Sequence, residues 1–473
     1  MSSSGSPKNA SGRSNNSKLA LKAASVVAGG IVLAACSPGT ATKSSSAASS
    51  ATTSGASASA TSGAASVAST PVTLTLFSAA GLQTFEQDLA NAFHAKYPAI
   101  TVKLNVVPDN TYNTVLPRLM SASGGPDIAA PADLISNSQD GLLASLDSYA
   151  SQYGWNSSVP STVLARGEVS SQGVVGSGTL FEAGGAAGPL VGVYYNRSLL
   201  AKAGITSIPQ TVAEFGADLA KAKAAGITPI VASNQDGLIG HLYSLLLGDY
   251  MGPSALNALV NNAPGATLNT PGAVQATTML ETWIKDSYFN SDANAIQQEQ
   301  SYGTFSSGGA LFMVQGSWML QSLPSAFASS QLGVFDFPPA TAGGPHSAML
   351  SNSLSFSIAA NSPHKAAAAL FLNFLTTPAA AAVAVQAGYG AVGGSAAAAA
   401  PPTLSETLSQ QIQSGFAQID AQNGFTNWLQ NSAGAVNTAE TQELQLLFAG
   451  KTSPAAMVAS LESTYSSALA ATK

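Results

Sequence analysis

The sequence predicts an α/β fold, and three neighbouring stretches predict it. Residues 72–77 alternate strictly, with Val72, Leu74 and Leu76 on one face, as a half-buried strand does. Residues 85–97 place Phe85, Leu89, Ala92 and Phe93 on one helical stripe, which Pro98 ends. Residues 100–106 alternate again. A strand, a helix and a second strand in so short a span form a right-handed parallel crossover, the building unit of an α/β sheet.

Later elements extend the pattern. Residues 117–125 end a helix, and Gly124-Gly-Pro-Asp127 turns sharply into a strand at 128–130. A hydrophobic strand follows at 190–195. Residues 211–225 form a helix stopped by Gly226, and 228–232 form the next strand. Residues 305–309 close a helix and turn into a strand at 310–314, after which Gln315-Gly-Ser317 opens a helix at Trp318. A strand at 354–358 runs into a helix at 363–375. The alanine-rich stretches 366–382 and 395–400 are good helix formers and carry no chemistry.

The chain has 473 residues, enough for two or three domains at roughly 100 to 200 residues each. Only 8% of residues are charged and 45% are hydrophobic, which allows a large core and excludes a highly charged disordered chain. Lysine plus arginine total 17 against 23 acids, a net charge of −6, and no basic cluster is present, which argues against a nucleic-acid partner. With one cysteine, Cys36, there is no internal disulfide, thiolate metal cage or C-x-x-C pair.

The first 35 residues read as a signal peptide: Lys8, Arg13, Lys18 and Lys22 precede an uncharged run at 23–35, too short to span a bilayer of roughly 30 Å. That run ends in Leu33-Ala-Ala-Cys36, which resembles the lipobox of bacterial lipoproteins and implies lipidation of Cys36 and cleavage before it. The bland alternative is a soluble secreted protein with a stray thiol. Residues 37–70 collapse to Ser, Ala, Thr and Gly, a flexible tether with a root-mean-square span of roughly 30 Å. One acyl chain binds a membrane only marginally, so a durable anchor needs the multiple acylation that the resemblance implies.

The order of segments is distinctive: Phe93-His-Ala-Lys-Tyr-Pro-Ala-Ile-Thr-Val102, Gly124-Gly-Pro-Asp-Ile128, Gly141-Leu-Leu-Ala-Ser-Leu146, Val193-Tyr-Tyr-Asn-Arg197, Lys202-Ala-Gly-Ile205 and Pro209-Gln-Thr211. Phe305-Ser-Ser-Gly-Gly-Ala310, Gly316-Ser-Trp318 and residues 366–375 follow. The series resembles the family 1 extracellular solute-binding proteins, the sugar-binding components of ABC importers that include the maltose-binding proteins. The resemblance implies a two-lobed periplasmic-binding-protein-like fold of type II with a cleft between discontinuous lobes. Lobe one takes residues 71–187 and 333–386, and lobe two takes 188–332 and 387–473. It implies a carbohydrate ligand, ABC permease subunits as partners, a monomer, and no cofactor or metal.

Candidate ligand contacts come partly from the residues and partly from this resemblance. Ligands of open α/β sheets sit beyond the carboxyl ends of strands. Asp133, in the loop after the strand at 128–130, is therefore a better contact than Asp127, which reads as a turn or cap carboxylate. Tyr194 and Tyr195 alternate across a strand, so one can reach the cleft, though core packing for both is an equal reading. Asp236, in the polar loop Asn234-Gln-Asp-Gly237, suits sugar hydroxyls, with helix capping as its alternative.

Trp318 offers the largest flat plate for a pyranose face, and it matches the family's stacking tryptophan; core packing is the alternative. His241 lies on an otherwise apolar helix, where a satisfied structural histidine is the bland reading; the resemblance implies instead an aromatic facing the cleft there, and another aromatic at Trp428. Leu180-Phe-Glu-Ala-Gly-Gly185 stands where the family often has a Tyr-x-x-Pro stretch. Glu182 there, and Asn352, complete the ligand-binding set, while Trp155 and Trp283 read as packing residues.

The four histidines show no H-E-x-x-H or related spacing, and no G-x-S-x-G elbow or Walker loop is present. Gly388-Tyr-Gly-Ala-Val-Gly393 matches G-x-G-x-x-G only formally, because it follows a helix rather than a strand. The expectation is a binding protein and not an enzyme. The alternatives are an exported glycoside-active enzyme, whose paired carboxylates can come from distant strands, a binder of another polar solute such as a polyol phosphate, and an adhesin or receptor on the same body.

Overall fold

The computed structural model describes residues 67–131, 133–159, 161–185, 187–344, 346–349, 355–391 and 402–471. Cys36, Asn352 and the alanine-rich stretch 395–400 lie outside the described residues. The elements that build the site are, in order, β1 (Val72–Ala79), α1 (Gln83–Lys96), β2 (Ile100–Val107), α2 (Asp109–Ser121), β3 (Ile128–Ala129) and α3 (Leu134–Gln139). After them come β4 (Glu182–Gly184), β5 (Val191–Asn196), α4 (Val212–Ala224), α5 (Gly240–Met251) and α6 (Gln298–Ser306). The last are β6 (Phe312–Gly316), β7 (Leu332–Phe335), β8 (Ser355–Ile358), α7 (Lys365–Leu375) and α8 (Gly434–Phe448).

The expected crossover forms. β1 and β2 pair in parallel from Val72 opposite Ile100 to Ala79 opposite Val107, with α1 between them in the chain. Phe85, Leu89 and Phe93 are the buried stripe of α1, and Phe93 meets Phe371 of α7 edge-on with ring centroids 5.1 Å apart. β3 pairs in parallel with β1 on its other side, and β8 and β4 continue the sheet antiparallel in the order β2-β1-β3-β8-β4. Asp127 is buried at the entry to β3: its Oδ2 accepts the Thr75 N–H at 2.8 Å and its Oδ1 accepts the Ser362 hydroxyl at 2.5 Å. It is a structural carboxylate that pins β3 to β1.

A second sheet, β7-β5-β6, is antiparallel throughout, and β5 at its centre is buried along its whole length. Its core joins Val193, Phe215, Leu242, Phe312, Phe335 and Leu444. α4 is capped as the sequence implies, with the Thr211 side chain accepting the Glu214 N–H and Gly226 at φ +71. Trp155 and Trp283 are packing residues: the first donates to Asn373 Oδ1 at 3.0 Å, and the second lies edge-on to Phe215.

The chain passes between the sheets after β4, after β7 and after the helix Pro378–Gln386. At two of these crossings the short strands Ala187–Gly188 and Gly390–Ala391 pair antiparallel, tying the crossing segments into a ribbon. The expected lobe boundary at residue 333 falls inside β7, which is hydrogen-bonded into the second sheet.

One expected strand is reduced to a single bridge residue. In residues 228–232 only Ile230 bridges neighbouring backbone, to Phe289 and Phe312. Successive N–H groups there turn to different partners: Ile230 to the Tyr288 carbonyl, Val231 to the Phe312 carbonyl and Ala232 to the Asn290 side chain. With Pro229 lacking an N–H, no single neighbour can extend a ladder.

Candidate functional site in the cleft between the sheets

A cavity of about 500 Å³ opens beyond the carboxyl ends of β1 and β3, where open α/β sheets place their ligands. From the first-sheet side it is bordered by Ala79, Glu86, Tyr112, Asn113, Ala130, Asp133 and Asn137. From the second-sheet side it is bordered by Leu238, His241, Gln298, Trp318, Trp428 and Asn431. A wider surface hollow of about 720 Å³ beside Gln210, Pro339, His346 and Gln422 contains none of the candidate residues.

Three of the expected residues meet as an aromatic wall. Trp318 follows β6 on a 3-10 turn, Ser317–Gln321, where an α-helix was expected. The His241 ring, on the first turn of α5, lies 5.6 Å from Trp318 and 4.4 Å from Trp428, and the two tryptophans are 5.8 Å apart at 62°. Both tryptophans are half-buried and present rings to the cavity. Gly316 makes the arrangement feasible, because a Cβ at that position would fall inside the Trp318 ring.

Several polar atoms around this wall are buried without a partner: the Trp428 Nε1, both His241 ring nitrogens, the Asn137 Oδ1 and the Glu86 Oε2. Buried polar groups are nearly always hydrogen-bonded, so these residues, all of which border the cavity, carry unused hydrogen-bonding capacity beside it. Burial lowers the His241 pKa to about 4, with nearby Gln315 offsetting part of the shift without making a hydrogen bond of good geometry. Burial raises Glu86 to about 8, partly countered by the Ser78 hydroxyl. Tyr112 stiffens the floor, donating to the Phe77 carbonyl at 3.2 Å and accepting the Ala130 N–H at 3.1 Å.

The other expected contacts are placed differently. Asp133 borders the cavity, but both its oxygens are engaged as the N-cap of α3, accepting the Ser136 N–H at 2.9 Å and the Ser136 hydroxyl at 2.7 Å. Asp236 is exposed and lies outside the cavity lining. Its Oδ2 accepts the Gln298 N–H at the start of α6 at 2.7 Å, and burial of part of the carboxylate raises its pKa. Its effect on the site is indirect, through Gln298, which does border the cavity.

Tyr194 does not reach the cleft. It is fully buried, with its hydroxyl donating to the Leu190 carbonyl at 3.1 Å, and Tyr195 is buried too, accepting from the Gln411 side chain at 2.9 Å. Both faces of β5 are covered, so alternation sends the two rings into two parts of the interior. Glu182 is likewise buried in the first sheet and outside the cavity lining; burial raises its pKa to about 8, partly offset by Arg166.

Glu86 and Asn137 were missed by sequence reading. For Glu86 a signal existed: it stands three, four and seven residues before Leu89, Ala90 and Phe93, so a carboxylate sits on the buried face of α1. Asn137 gave none, since its role follows from its amide donating to the Asp133 carbonyl at 2.5 Å and leaving Oδ1 free.

The sequence model of the bacterial extracellular solute-binding proteins matches residues 78–382. A binding protein of Brucella abortus (strain 2308) is 25% identical over 276 residues, 58% of this chain, and the chain spans 64% of the length of that relative. Among solved structures, a chitin oligosaccharide binding protein superposes with a TM-score of 0.62 at 20% identity, covering 84% of this chain and 99% of its own. Maltose-bound MalE3 of T. maritima does so with a TM-score of 0.63 at 18% identity, covering 84% and 99%. Such overlap shows a two-lobed α/β fold with the cleft between its halves. The family match runs from the end of β1 through the helices that close the first sheet, taking in Glu86, His241 and Trp318 with Trp428 beyond it, and because it covers well over half of the sequence the chain belongs to the bacterial extracellular solute-binding protein family.

Proposed function

We propose that the protein captures a carbohydrate outside the cytoplasm and hands it, chemically unaltered, to the membrane permease of an ABC importer. The observation that carries this reading is the pairing in one cavity of an aromatic wall, Trp318, His241 and Trp428, with buried polar atoms that lack partners. An indole face desolvates the C–H side of a sugar ring, and the free donors and acceptors suit its hydroxyls. The similar structures named for chitin oligosaccharide and for maltose support the same ligand class.

The walls belong to different sheets, so a ligand touching both favours closure over opening. Release without turnover is supported by the family the chain belongs to, which is one of solute-binding proteins. The basic, apolar and Leu33-Ala-Ala-Cys36 segments support anchoring through lipid on Cys36, with the 37–70 stretch as tether and the folded body acting as a monomer. A thermal-shift screen against mono- and oligosaccharides tests the reading: a bound sugar raises the melting temperature by mass action, and a flat response across the panel would sink it.

A further inference from the structure

Two groups deep in the cleft are ordinarily charged or chargeable, and neither has a counter-charge. Glu86 is 2% exposed and His241 is 1% exposed, both border the cavity, and the Glu86 Oε2 and both imidazole nitrogens have no partner. Among the described residues no lysine or arginine borders the cavity. The groups facing Glu86 are the Ser78 hydroxyl of β1, the phenol of Tyr112 on α2, and the phenol of Tyr389, which Gln321 reaches at 3.4 Å. The other elements packed on α1 are β2, α7 and the helix Pro378–Gln386; Lys103 of β2 is exposed, Lys365 of α7 donates to the Ser362 carbonyl, and the helix Pro378–Gln386 contains no titratable residue. Glu182 and Arg166 act on one another, and Glu182 also reaches Tyr112. His241 faces Gln315, Trp318 and Trp428, while the buried Glu440 lies against Gly240 beside it.

We infer, building on the sugar-binding reading, that Glu86 is a specificity-determining contact: as an uncharged carboxylic acid it offers the ligand both a donor and an acceptor, and so selects uncharged hydroxylated ligands over anionic ones. An anion finds no lysine or arginine at the cavity and meets the acidic side chains of Asp133 and Asp140 on its border. Burial keeps Glu86 protonated up to about pH 8 and His241 neutral down to about pH 4, so the deep part of the site stays uncharged across that window. The free carboxyl then matches a sugar hydroxyl, which also donates and accepts. Above about pH 8 the acid ionises, its donor is lost, and binding weakens.

The test is calorimetric titration of the full chain and of Glu86→Gln and Glu86→Ala at pH 6, 7 and 9. The neutral probes are maltose, chitobiose and raffinose, and the anionic probe is glucose 6-phosphate. For a neutral probe that binds, wild-type affinity is expected to fall about tenfold between pH 7 and pH 9, and Glu86→Gln to abolish that fall. Glu86→Ala, which removes both donor and acceptor, is expected to bind at least about tenfold more weakly. A carboxyl with a purely structural role would alter the melting temperature of the empty protein and leave the pH profile of binding alike in wild type and Glu86→Gln. That result, or the anionic probe bound as tightly as the neutral ones, overturns the inference and leaves the sugar reading standing. Failure of every neutral probe overturns both.

Discussion

Trp318 owes its position to a residue that has no side chain. The ring folds back over Gly316, so Gly316→Ala should push the indole out of the cleft without touching any ligand contact directly. The expected outcome is a loss of sugar affinity of the same order as Trp318→Ala. That substitution removes the stacking plate and should cost at least about 1 kcal/mol in a calorimetric titration. Glu86 makes a second prediction, on stability. Its carboxyl titrates near pH 4.5 when unfolded and near 8 when buried, so the folded chain holds the extra proton between those values. Stability from this group therefore declines as pH rises from about 4.5 to about 8, and Glu86→Gln should remove that part of the decline in urea unfolding followed across the range. Of the residues singled out from sequence, Trp318 and Trp428 border the cavity. The reading failed for Tyr194 because alternation tells which residues share a face, and says nothing of whether the opposite face is covered as well.

At the scale of elements, the site is held by caps, and the fold beside it by a half-buried guanidinium. Asp133 secures the first turn of α3, and Asp133→Ala should cost about 1 kcal/mol of stability, read as a lower melting temperature in the empty protein. Because that helix also presents Asn137 to the cavity, affinity should fall with it. Arg197 ties three segments together: its Nε donates to the Leu332 carbonyl at 3.1 Å, and its two terminal nitrogens donate to the Leu404 carbonyl at 2.6 Å and the Glu406 carbonyl at 2.8 Å. Arg197→Met should leave these acceptors unpaired and destabilise the fold by at least about 2 kcal/mol in denaturant titration. Periodicity located the strands and helices here because each has one strongly apolar stripe. It overstated the strand at 228–232, where Pro229 has no N–H and the Ala232 N–H goes to the Asn290 side chain instead of to backbone, and no local pattern records that.

At the scale of the whole molecule, closure depends on the crossing segments. The paired strands Ala187–Gly188 and Gly390–Ala391 give a narrow connection about which the two sheets can turn, as hinge proteins do. A bound sugar that bridges Trp318 and the Glu86 side should therefore reduce the radius of gyration in small-angle X-ray scattering, and Trp318→Ala should abolish the change at the same sugar concentration. What the sequence determined by itself was the α/β class, the first crossover, the family and the aromatic residues, because those follow from local periodicity and from residue types that few positions tolerate. What tertiary structure alone decided was which polar groups are free. Asp133 and Asp236 have their carboxylates taken by helix N–H groups, whereas Glu86, inconspicuous on an apolar stripe, has a free oxygen at the cleft. The physical reason is that a hydrogen bond is satisfied or left open by atoms distant in the chain, and only the packed sheets bring those atoms together.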